Sequence, residues 1–105
     1  MRRMYLNDGT QAWFDCDQAE VFEEDLQSDG KNFISVATES QFEHENLYRT
    51  KGGKWVKNCW SQWQGSIGGN YGISLEDAVL WLDKNGYERE AEKYDDCGIL
   101  ESYEI

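Results

Sequence analysis

Leu47-Tyr48-Arg49-Thr50-Lys51-Gly52-Gly53-Lys54-Trp55-Val56 is the stretch on which the fold turns. Lys51 to Lys54 reads as a turn, because adjacent glycines supply backbone conformations that side chains strain to adopt. Leu47-Tyr48-Arg49-Thr50 enters the turn and Trp55-Val56 leaves it, and aromatic and β-branched residues of this kind favour a pleated strand. The two arms are therefore expected to pair as an antiparallel hairpin. The incoming strand is expected within Gln41 to Thr50, and the return strand from Trp55 to Trp63.

Working outward from that hairpin, Asn32 to Thr38 reads as another strand, carrying Phe33, Ile34 and Val36. Before it, Asp15 or Asp17 is placed to cap a helix running through about Ser28, with Ala19, Val21, Phe22 and Leu26 on its apolar side. Gly30 then stands where a helix C-terminus takes a left-handed residue. At the start of the chain, Arg3 to Leu6 and Gln11 to Phe14 flank Asn7-Asp8-Gly9-Thr10, a hairpin signal. Downstream, Gly65 to Gly72 contains four of the ten glycines and reads as a loop. Ser74, with Asp77 three residues on, starts a helix whose apolar stripe is Leu75, Ala78, Val79, Trp81 and Leu82. Asn85-Gly86 closes it. Tyr87 to Tyr94 can add a further short helical turn, and Ile99 to Ile105 is a tail or an edge strand. The expected fold is α+β, one compact domain over residues 1–105, with a small antiparallel sheet of about five strands and two main helices on one face.

A chain of 105 residues has room for one core, and five Trp, six Tyr and four Phe can build it. That density of aromatics sets it apart from disordered acidic chains. No apolar run approaches the length of a membrane span. The opening Met1-Arg2-Arg3-Met4-Tyr5-Leu6 turns polar at Asn7, unlike a secretory signal, so a cytoplasmic protein is expected. Cys16, Cys59 and Cys97 are odd in number and widely spaced, which suits reduced thiols better than a disulfide framework.

The formal charge of −11 is unevenly laid out. Eleven acids lie between Asp8 and Glu45 against Lys31 alone, and ten lie between Glu76 and Ile105 against Lys84, Arg89 and Lys93. Between these blocks, Asn46 to Tyr71 holds four bases and no acid. Glu20, Glu23, Glu24, Asp25 and Asp29 form the first candidate partner-binding cluster. Glu88, Glu90, Glu92, Asp95 and Asp96 form the second. Such rows can imitate phosphates before a nucleic-acid-binding protein, engage a basic toxin, or be a solvated face. Arg49, Lys51, Lys54 and Lys57, interleaved with Tyr48, Trp55, Trp60 and Trp63, make an alternative nucleic-acid face, since single strands are held by stacking on aromatics beside cations. The competing reading puts the tryptophans in the core and leaves the lysines to keep the strand soluble.

No chemistry-bearing constellation stands out. His44 and the three cysteines have no paired metal-ligand spacing, so no metal or other cofactor is expected. Cys97 in Asp95-Asp96-Cys97-Gly98 has its thiolate opposed by neighbouring acids. Gly65-Ser66-Ile67-Gly68-Gly69 lacks the Gly-Lys-Ser/Thr end of a phosphate loop. The chain is read as no enzyme.

Leu47-Tyr48-Arg49-Thr50, Gly53-Lys54-Trp55-Val56 and Trp60-Ser61-Gln62-Trp63-Gln64-Gly65-Ser66, followed by Ala78 to Leu82, carry a resemblance across roughly residues 33–87. The chain resembles small uncharacterised proteins of bacteria and their phages and plasmids, in which such a hairpin precedes an A-x-x-WL helix. The resemblance carries over no catalytic residue. It implies a mobile-element origin, where small acidic proteins serve as inhibitors of host defence, anti-CRISPR proteins among them. In that string, Trp60 and Trp63 are expected to pack on Trp81 and Leu82, or else Trp63 and Gln64 lie exposed as a binding hot spot. The leading functional expectation is a protein-binding inhibitor or regulator whose acidic, DNA-mimic-like faces meet a nucleic-acid-handling protein, such as a CRISPR or other defence nuclease. The alternatives are an immunity or antitoxin protein against a basic toxin, and a single-strand-binding module using the basic hairpin.

Overall fold

The structure is a computed structural model that describes residues 1–62 and 68–105. In chain order its strands are β1 (Arg3–Tyr5), β2 (Trp13–Asp15), β3 (Glu20–Glu23), β4 (Leu26–Ser28), β5 (Phe33–Ser35), β6 (Glu43–Arg49), β7 (Trp55–Ser61) and β8 (Gly69–Ile73). Helices α1 (Leu75–Lys84), α2 (Glu88–Tyr94) and α3 (Ile99–Ser102) follow. The central sheet is antiparallel in the order β3-β6-β7-β8, and β1-β2 and β4-β5 are separate two-stranded ribbons. The α+β class is therefore observed, with more strands than expected, split among three sheets rather than gathered in one.

The Lys51 to Lys54 turn sets the register. The Thr50 amide donates to the Lys54 carbonyl (2.8 Å), the Gly53 amide donates to the Thr50 carbonyl (2.9 Å), and Thr50 Oγ1 accepts from the Lys54 amide (3.0 Å). Gly53 has φ +79°, where a side chain would be strained. Arg49 thus faces Trp55, and Leu47 faces Lys57. Because side chains alternate across a strand, Leu47 and Trp55 fall on one face, joined there by Phe22, which pairs with Leu47. Onto this face α1 lays Ala78, Val79, Trp81 and Leu82, all buried. Ser74 Oγ caps α1 by accepting from the Asp77 amide (3.1 Å), and Gly86 (φ +87°) ends it, as its sequence implies.

The opposite face carries Val21, Tyr48 and Val56, and the β1-β2 ribbon covers part of it. Buried Phe14 packs on Tyr48 with ring centroids 5.4 Å apart. The ribbon is tied to the edge of β8: the Asn7 amide donates to the Asn70 carbonyl (2.8 Å), and Asn7 Oδ1 accepts from the Asn70 amide (2.7 Å).

Three expectations are corrected. Residues from Asp15 to Ser28 form no α-helix; they make one 3₁₀ turn (Cys16–Gln18) and then β3 and β4. Asp15 does cap the turn, through Oδ1 and the Asp17 amide (3.0 Å). A helix would gather Ala19, Phe22 and Leu26 on one side, but only Phe22 is buried, while Val21 and Leu26 are exposed. Pairing with distant Leu47 outweighs the local periodicity, a tertiary effect that helix spacing cannot register. Trp60 does not pack on Trp81. It lies on the face away from the helices, stacked on His44 (5.5 Å, 25°), because it stands four positions along the strand from Val56, on the same side of the pleat. Trp55 packs beneath the helices instead. Ile99 to Ser102 is a helix and not an edge strand, because both Asp95 oxygens accept from its first amides, Ile99 (2.7 Å) and Leu100 (2.9 Å). The expected return strand as far as Trp63, the start of the glycine loop, and the alternative roles of Trp63 and Gln64 lie outside the described residues.

The strand assignment is open to a direct check. Phe22 is 6% exposed and Val21 is 51% exposed. Phe22→Ala should lower unfolding stability by about 3–5 kcal/mol, and Val21→Ala by under about 1 kcal/mol, in urea titrations. Equal losses would contradict the alternation of β3.

Candidate protein-binding edge

The two acidic blocks meet along the outer edge of the sheet. Two tyrosines mark the ends of α2, Tyr87 as its N-cap and Tyr94 as its last residue, and both reach β3. The Tyr87 hydroxyl donates to the Glu23 carbonyl (2.9 Å), and the Tyr94 hydroxyl donates to Glu20 Oε1 (3.1 Å). The helix therefore runs antiparallel beside the strand. Its grip is aromatic beneath the hydroxyls: Tyr87 meets Phe22 edge-on (5.3 Å, 79°), and Tyr94 meets Trp55 edge-on (5.1 Å, 81°). The Arg49 guanidinium lies over the Tyr94 ring at 4.9 Å and Trp55 at 5.9 Å, so this base is spent on packing.

The Tyr87 phenol registers the crowding of charge. Burial raises its pKa above the ordinary value, and the carboxylates of Glu23, Asp25 and Glu90 add to the rise. Glu23 and Asp25 from the strand side and Glu90 from the helix thus gather about the Tyr87 hydroxyl, and Tyr94 brings Glu20 to the same helix. Glu20, Glu23, Asp25, Glu88 and Glu92 are exposed, and Glu90 is half-buried.

The other acids singled out in the sequence have local duties. Asp29 Oδ1 closes the β4-β5 turn by accepting from the amides of Lys31 (2.9 Å) and Asn32 (2.8 Å), and these bonds hold its carboxyl below the ordinary value. Asp95 caps α3, with the Leu100 amide the main cause of its lowered pKa. Asp96 is exposed beside Cys97, whose thiol is pushed up by desolvation and then by Asp96. Glu24 is turned inward, its side chain only 8% exposed. One of its oxygens accepts from Ser35 Oγ (2.8 Å) and the Glu45 amide (2.8 Å), and the other bonds His44 Nδ1. Asn46 Oδ1 takes the Glu24 amide (3.2 Å), so the break between β3 and β4 is pinned to β6.

The alternative basic face is dispersed. Trp55 is 6% exposed and offers no platform for a base. Arg49 is packed as above, and Lys57 pairs with Glu45 (3.8 Å). Lys51 and Lys54 are exposed at the turn and have no ion pair among the described residues. Sequence reading passed over two residues here. Glu45 is the acceptor for Trp81 Nε1 (2.9 Å) and lies 3.9 Å from Cys59 Sγ; burial, then this carboxylate, raises the Cys59 thiol pKa. Trp13 stands exposed beside Lys51 and Lys54, and its alternation with buried Phe14 was the available signal. Among the described residues no three His, Cys, Asp or Glu side chains gather as a metal site, and no helix is long and apolar enough to cross a membrane.

The inward turn of Glu24 separates it from its neighbour by a stability measurement. Glu24→Ala leaves buried Ser35 and half-buried His44 and the Glu45 amide without this acceptor and should cost about 3 kcal/mol in denaturant unfolding. Glu23→Ala should stay within about 0.5 kcal/mol of the parent. Equal effects would contradict the arrangement.

No protein-family model matches the chain, and comparison with curated proteins and with solved structures finds no match.

Proposed function

We propose that the chain is a non-catalytic binding protein, an inhibitor or regulator, whose β3–α2 edge engages the basic surface of a nucleic-acid-handling protein. The observation that carries this reading is the double tyrosine clasp, Tyr87 to Glu23 and Tyr94 to Glu20, which merges two acidic blocks remote in sequence into one edge. Carboxylates spread over an ordered strand and helix are held in place before the partner arrives, and complementary charge of this kind speeds encounter and orients docking. Proteins that grip nucleic acid present arginines and lysines spaced for phosphates, and a row of carboxylates can occupy them. Exposed Val21 lies between Glu20 and Glu23 and gives the edge an apolar contact within its charged rim. The resemblance to proteins of mobile elements supports a target in host defence, such as a CRISPR nuclease.

An immunity or antitoxin protein would use the same edge against a basic toxin, and the identity of the captured protein separates the two. Tagged protein should retain a basic protein from host lysate at about 50 mM salt and shed it near 0.5 M, where the Debye length has shrunk to a few ångströms. A variant carrying Glu20→Gln, Glu23→Gln, Glu88→Gln and Glu90→Gln should retain none of it. Equal retention by that variant, or no protein specific to the parent, would overturn the proposal.

A further inference from the structure

A second surface lies at the Lys51–Lys54 turn, where the β1-β2 ribbon meets it. An open groove of about 450 Å³ is lined there by Trp13, Phe14, Asp15, Thr50, Lys51 and Lys54, among others. It adjoins an apolar recess of about 160 Å³ that shares Trp13, Phe14, Thr50 and Lys54 and extends to Leu6 and Val56. Together they are the size of a site for one small ligand or a few atoms of a larger one.

Three features define what the groove can take. The Trp13 indole is 47% exposed, and the Arg3 guanidinium lies 4.7 Å from its centroid, so one ring is both accessible and backed by a cation. Lys51 and Lys54 have no ion pair among the described residues, in a molecule with a twofold excess of acids. Asp15, the acid in the lining, is already engaged: its Oδ1 accepts from the Arg2 amide (3.1 Å) and the Asp17 amide (3.0 Å).

We propose that this groove binds a short single-stranded nucleic-acid segment, one base stacking on Trp13 and adjacent phosphates meeting Lys51 and Lys54. A flat accessible ring beside unpaired cations suits a base and its phosphates better than it suits a peptide carboxylate, which needs no ring. The groove is far too small for a duplex, and the net charge of −11 repels any longer polyanion, so recognition is confined to a few nucleotides. The site shares no residue with the acidic edge and does not depend on the function proposed for it.

The test is fluorescence titration of the intact protein with an oligothymidylate of about eight nucleotides. Saturable binding is expected, with log K falling against log salt at a slope of about −1.4, two lysines at roughly −0.7 each. Trp13→Ala should weaken binding roughly tenfold or more, while Trp13→Phe retains most of it and Trp60→Ala, at the other exposed tryptophan among the described residues, changes nothing. Lys51→Gln with Lys54→Gln should flatten the salt slope. The four-glutamine edge variant should bind the oligonucleotide as well as the parent or better, which keeps the two proposals separable. Absence of binding, equal binding by Trp13→Ala with native circular dichroism, equal affinity for duplex, or preference for an acidic peptide over the oligonucleotide would each overturn the proposal.

Discussion

The packing of α1 on Phe22, Leu47 and Trp55 is the contact on which the rest of the structure depends. Leu47, Ala78, Val79 and Leu82 are wholly excluded from water, and each aliphatic side chain so buried contributes on the order of 1.5–3 kcal/mol, Ala less. This contact chooses which face of the sheet is inside. Once Leu47 points toward the helices, alternation sends Tyr48 and Val56 to the far side, where the β1-β2 ribbon covers them with Phe14. It also fixes β3, because Phe22 reaches the core only by pairing with Leu47.

From that choice the charge distribution follows. With Phe22 inward, Val21 and Glu23 point away from the core, and β3 becomes an outer strand of the sheet. Such an edge invites pairing with another chain unless it is short or charged, and this one is both. The edge is also where α2 settles, since Ala91 is buried and Tyr87 and Tyr94 find Phe22 and Trp55. Concentrating carboxylates there costs electrostatic energy. Most of them remain in water, where that repulsion is weak, and Glu20 has the Tyr94 hydroxyl as a donor. The one carboxylate that cannot stay in water, Glu24, accepts hydrogen bonds at both oxygens.

The sequence disclosed the parts of the fold that local chemistry governs. The Gly52-Gly53 turn, the pairing of Leu47–Arg49 with Trp55–Lys57, and the capped helix after Ser74 each carry their signal within a few residues. The segment from Cys16 to Ser28 does not. Ala19, Phe22 and Leu26 fit helical spacing, and the alternation that competes with it spans only Glu20 to Glu23, too short to win without knowledge of Leu47. The acidic clusters were visible as composition, but their union was not, because it rests on two tyrosine hydroxyls whose targets lie across the molecule. Glu24 was indistinguishable from Glu23 by charge alone; the break between β3 and β4 turns it toward His44 and Ser35. Trp13 was masked for a similar reason: Trp55 is the tryptophan next to the lysines in sequence, and the ribbon that brings Trp13 to them is held by Asn7 and Asn70.

The central claim is that β3 and α2 act as one surface. It is tested most directly by amide hydrogen exchange on the isolated protein and on its complex with the captured basic partner. The account predicts new protection that appears together in Glu20 to Asp25 and in Glu88 to Tyr94, with the amides of β7 unchanged. Protection confined to one of those segments, or falling on the Lys51–Lys54 turn instead, would contradict it.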